Sequence, residues 1–107
     1  MSGHFASVFA VENISRRIRN VVGPQIVAER RRLGWKQKDL LARLQIAGLP
    51  YSRLMLTRIE NQIRGVYDYE LQIIAVTLGV SLSSLLPRLD KTQASLDRIA
   101  QAGDADE

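Results

Sequence analysis

Residues 52–62 read SRLMLTRIENQ, and their spacing predicts a short helix. Ser52 suits its N-cap, because a serine hydroxyl accepts from the free N–H groups of a first turn. Leu56 and Ile59 share one face, flanked by Leu54 or Met55. The opposite arc carries Arg53, Thr57, Arg58 and Asn61, with Arg64 just beyond. Glu60 is the one carboxylate of the stretch, and beside Ile59 it is placed to turn inward. A helix seated by one apolar stripe, with Arg, Thr and Asn on the other, can meet phosphates and base edges. A plain solvated face on an ordinary helical domain is the competing reading. The flanking segments decide between the two.

Upstream, Pro24–Leu33 reads as a first helix, with Pro24 fitting an opening turn and Gly34 ending it. Ile26 and Leu33 face inward and Arg30 sits on the edge of that face. A second helix over Gln37–Ala47 buries Leu40, Leu41 and Leu44 and leaves Lys36, Lys38 and Arg43 solvated. Gly48-Leu49-Pro50 breaks it. Downstream, Asp68 is the expected N-cap of a fourth helix, Tyr69–Leu78, which buries Leu71, Ile74, Ala75 and Leu78 and ends at Gly79. Ser81 caps a short fifth helix, where Leu82, Leu85 and Leu86 close the core before Pro87.

The divisions follow: 1–21 as an N-terminal leader and arm, 22–88 as the folded domain, and 89–107 as a C-terminal helix or tail. Phe5, Val8, Phe9 and Val11 give no strong period, and a flexible leader is the preferred reading. ISRRIRNVV, residues 14–22, is a basic arm or an extra turn. Asp90 and Gln93 match a capping box for a tail helix.

Charge is unevenly distributed. The net charge is +4, yet the span Ile14–Arg64 holds twelve Lys/Arg against three acids. From Gly65 onward there are three Lys/Arg and seven acids. A basic half on a small domain implies a polyanion partner, nucleic acid before a membrane surface. With no cysteine there is no disulfide frame, zinc-thiolate site or thiol nucleophile. His4, the lone histidine, has no ligand-forming neighbour, so no metal or cofactor is expected. No apolar run approaches the roughly 18 residues of a membrane span. The first residues lack a cationic n-region and a clear cleavage site, so the expected location is the cytoplasm.

ERRRLGWKQKDLLARL, LTRIENQIR and YELQIIAVTLGVSLSSLLP occur in that order between Val22 and Pro87. Together they resemble the lambda-repressor-like helix-turn-helix family, the Cro/Xre type of small transcriptional regulators. The resemblance implies an all-α, compact five-helix DNA-binding domain whose second and third helices form the binding pair. By position it implies that Arg53, Leu54, Met55, Thr57 and Arg58 read base edges. It puts Gln37, Lys36, Lys38, Ser52, Asn61 and Arg64 at phosphates, with Gln37 as an amide clamp. It also makes Arg30 and Glu60 an ion pair tying the first helix to the third. Two departures stand out: QIAGLPYS fills a turn that is tighter in the family, and Leu41 stands where the family has a small residue.

The expected function is sequence-specific recognition of double-stranded DNA by a repressor-like homodimer. The alternative is a protein-interaction module on the same fold, such as an antitoxin holding a small toxin. An enzyme is not expected, because no nucleophile–His–acid set and no glycine-rich phosphate loop is present.

Overall fold

Each of the five helices among the described residues starts where a polar group meets free backbone N–H groups. The computed structural model describes residues 18–88 together with Asp90, Thr92 and Leu96. Its described residues form five helices: α1 Gly23–Arg32, α2 Gln37–Ile46, α3 Arg53–Glu60, α4 Asp68–Leu78 and α5 Leu82–Leu85. They contain no strand, and the domain is all-α. Ser52 Oγ accepts from Met55 N (3.1 Å) and opens α3, as expected. Ser81 Oγ accepts from Ser84 N and opens α5. Asp39 reaches back to Lys36 N (2.8 Å) and closes the first turn of α2.

The start of α4 differs from expectation. Asp68 lies inside the helix and Tyr67 is its N-cap residue. The carboxylate that reaches back to the cap is Glu70, which accepts from Tyr67 N at 2.9 Å. Position decides this: a carboxylate at the third helical position lies over the cap N–H, as Asp39 does in α2, and one at the first position does not. Gly79 ends α4 with φ +72°, a left-handed conformation that costs glycine little.

Eight large side chains are fully enclosed: Ile26, Leu40, Leu44, Leu56, Ile59, Ile74, Leu78 and Leu85. They come from all five helices, so no helix is peripheral. Leu33, Leu41 and Leu71 pack against them half-buried. Leu82 and Leu86 remain exposed, so α5 closes the core with Leu85 alone. A four-residue helix has barely one turn, so only one of its side chains can face fully inward.

The α2–α3 connection, residues 47–52, is wide but pinned. Leu49 and Tyr51 are buried at 3% and 2% exposure, so the segment hangs from the core by alternate residues. Leu49 N donates to Leu44 O, and Gln45 Nε2 donates to Tyr51 O (2.9 Å). The chain before α1 is anchored as well, and the packed domain begins ahead of residue 22. Asn20 Oδ1 accepts from Val22 N and Gly23 N, while its Nδ2 donates to Ile59 O and Arg64 O. The expected leader up to residue 17 and most of the expected tail helix lie outside the described residues.

Candidate nucleic-acid interface

Three helices meet at Glu60. Arg30, on α1, donates to both of its carboxylate oxygens, Nε to Oε2 at 2.9 Å and Nη2 to Oε1 at 3.2 Å. The third donor edge, Nη1, goes to Trp35 O at the end of the α1–α2 turn. Both side chains are nearly buried, at 11% and 8% exposure. The expected Arg30–Glu60 pair is therefore present, in a two-pronged geometry. It fixes how α1, the head of α2 and α3 sit together.

Gln37 joins this pair to the surface. Its Nε2 donates to Glu60 Oε1 (3.2 Å) and to Thr57 Oγ1 (3.1 Å). Its Oε1 accepts from Arg53 Nε (3.3 Å). A carboxylate only accepts and a guanidinium only donates, so the amide cannot be turned round without losing both ends. Both amide hydrogens are thus engaged inside the fold. In place of the expected phosphate clamp, Gln37 connects α2 to α3 and holds Arg53.

The outer face of α3 then sorts itself. Arg53, Leu54, Arg58 and Asn61 are exposed, and Thr57 is half-buried. Thr57 accepts from Gln37, which leaves its own hydroxyl hydrogen to donate outward. Leu54 is 56% exposed and stands open on this face. Met55, expected among the base readers, packs half-buried against the core and does not belong to the outer face. Asn61 Nδ2 donates to Thr57 O (2.9 Å), and Ser52 is occupied as the N-cap.

Arg64 also departs from expectation. Its guanidinium grips Glu70 at 3.2–3.3 Å and stands over the Tyr51 ring, 5.2 Å from the centroid. Glu70 is buried and would be forced toward its neutral form by desolvation. The Arg64 guanidinium and the Tyr67 N–H outweigh that and hold its carboxyl below the usual range. The Glu70 partnership in turn strengthens the proton hold of Arg64. Burial, with the Glu70 charge beside it, pushes the Tyr51 hydroxyl upward. Arg64 is thus a brace between the α3–α4 loop and α4, largely neutralised by its partner.

Electrostatically the face is one-signed. All three carboxylates of the described residues up to Arg64 are engaged within the fold: Glu29 with Arg32, Asp39 at the α2 start, Glu60 with Arg30. Lys36, Lys38, Arg53 and Arg58 are exposed, and none forms an ion pair among the described residues. Gln37 touches Arg53 and Thr57, and Lys36 and Lys38 flank it in sequence at the head of α2.

Asn20 is the residue that sequence reasoning missed. The sequence places it in a basic arm, yet an Asn shortly before Gly-Pro at a helix start is a recognisable capping signal. Its second role, holding the end of α3 from 39 and 44 residues away, has no local signature.

Comparison with models of protein families, with curated proteins and with solved structures gave no match.

Proposed function

We propose that the protein is a sequence-specific double-stranded DNA-binding regulator, a repressor in its simplest form, with α3 lying in the major groove. One observation carries the reading: the outer face of α3 offers Arg53, Leu54, Thr57 and Arg58, while each carboxylate of the described residues up to Arg64 has a partner within the chain. Arg53 stands at the N-terminal end of α3, the end that meets base edges in helix-turn-helix docking. A guanidinium there suits the O6 and N7 of guanine, and the exposed Leu54 suits a thymine methyl. Lys36 and Lys38 supply phosphate contacts from the head of α2, where the helix dipole adds to their charge. One module of this kind buries only roughly 600–1,000 Å² on DNA, so a homodimer on a two-fold site accounts best for useful affinity. Selection from random duplexes at moderate salt tests the reading. A motif repeated at a spacing of about one helical turn supports it, and absence of any enriched sequence contradicts it.

A second reading has its own observation. Val76 is 80% exposed and lines a shallow groove with Ala47, Gln72, Ile73 and Thr77, and the 87% exposed Ile46 precedes Ala47 in sequence. Apolar surface of this kind suits a small protein partner, such as the toxin of an antitoxin-like module. None of these residues lies on the outer face of α3, so both activities fit one chain. Co-purification of an unrelated small protein, lost on Ile46→Glu, would favour it.

A further inference from the structure

The bonds between α1, α2 and α3 form a chain with a fixed order. Trp35 O accepts from Arg30, Arg30 holds Glu60, Glu60 orients the Gln37 amide, and the amide oxygen holds Arg53 Nε. The side edge of a guanidinium is Nε–H with one Nη–H, as Arg30 shows on Glu60. Once Nε is engaged, as in Arg53, the end-on pair Nη1 and Nη2 is the edge left for a two-pronged contact with a ligand. That pair matches the O6 and N7 acceptors on one edge of guanine.

We propose that Gln37, backed by the nearly buried Glu60, is a positioning residue that sets base choice by committing Arg53 to end-on presentation. The proposal rests on the DNA-binding reading above. It assigns a specificity role to Glu60, whose 8% exposure keeps it from touching a duplex. Without the clamp, Arg53 is free to turn its side edge to other acceptors or to a phosphate, and preference at that base pair weakens. Holding the side chain in the free protein also reduces the freedom lost on binding.

The test combines selection on random duplexes with melting curves for the wild type, Gln37→Met and Glu60→Gln. In the wild type, guanine is enriched at one position of each half-site. Gln37→Met is expected to lower that preference about threefold to tenfold, the effect of one modest hydrogen bond, with affinity for random DNA unchanged. Glu60→Gln weakens the same position and no other, even at a temperature where it is fully folded. Loss spread equally over all positions marks a merely structural role and overturns the proposal, as does an intact guanine preference in Gln37→Met. A second measurement reads the clamp without DNA. The Arg53 Nε–H resonance should exchange slowly with solvent in the wild type and rapidly in Gln37→Met, and rapid exchange in both overturns it. A wild type that enriches no sequence removes the DNA-binding reading and this proposal together, whereas preserved guanine choice in Gln37→Met removes the proposal alone.

Discussion

Glu60 carries one charge and serves two donors, Arg30 and Gln37. Removing it leaves the Arg30 guanidinium nearly buried with only Trp35 O for company. Stripping one partner from a buried pair costs about 3 kcal/mol, so Glu60→Ala should melt at least about 10 °C lower. Replacing both ions, as in Arg30→Met with Glu60→Leu, should recover most of that, because apolar pairs of similar size often match buried ion pairs. An unchanged melting curve for Glu60→Ala would contradict the energetic role given to the pair. At Arg53 the consequence is for recognition rather than folding. Arg53→Ala should cost roughly 1–3 kcal/mol on the preferred site and relax base choice there. Equal losses on preferred and random duplexes would argue against base reading.

At the scale of elements, the close approach of α1 to the end of α3 sets the geometry. A Cβ on Gly23 would stand 2.5 Å from Ile59 O and 2.8 Å from Glu60 O. Gly23→Ala must therefore push the two helices apart, at a cost of about 1–3 kcal/mol measured as a lower urea midpoint. A wild-type midpoint would mean that this contact is looser than described. The Arg64–Glu70 brace gives α4 an acid sensitivity. Because the folded protein holds the Glu70 carboxyl below its ordinary value, the stabilisation is fully present above that ordinary value, about 4.3. It disappears as pH falls through the lowered one. The melting temperature should drop over that acid range, and Glu70→Gln should flatten the slope while starting from a lower level. The five helices are legible in the sequence because their apolar spacing and serine caps are local signals. The burial of Leu49 and Tyr51 is not, since a Gly-Leu-Pro break looks the same whether its leucine is buried or bare. The surface cations can be read from charge spacing, and the Arg30–Glu60 pair from the family resemblance. The Gln37 connection and the Arg64 brace cannot, because each depends on which neighbour the fold brings within reach.

Across the molecule, positive charge collects on the α2–α3 side while the acids there are engaged internally. No helix of the described residues is long and apolar enough to cross a membrane. Binding to a duplex should therefore be dominated by counterion release, with a logarithmic salt slope of about −0.9 for each phosphate contacted. Lys38→Ala should weaken all sequences alike and reduce that slope by about one, whereas Arg53→Ala should change the sequence ranking. A Lys38→Ala variant with an unaltered slope would move the phosphate contacts elsewhere. The most direct test of α3 as the groove-reading element is methylation interference on the selected duplex. Methyl groups on guanine N7 lie in the major groove, and those on adenine N3 lie in the minor groove. Guanine N7 methylation is expected to block the wild type at the half-site guanines, and Arg53→Ala is expected to be indifferent to it. Interference confined to adenine N3, or unchanged guanine interference in Arg53→Ala, would contradict a groove-reading α3.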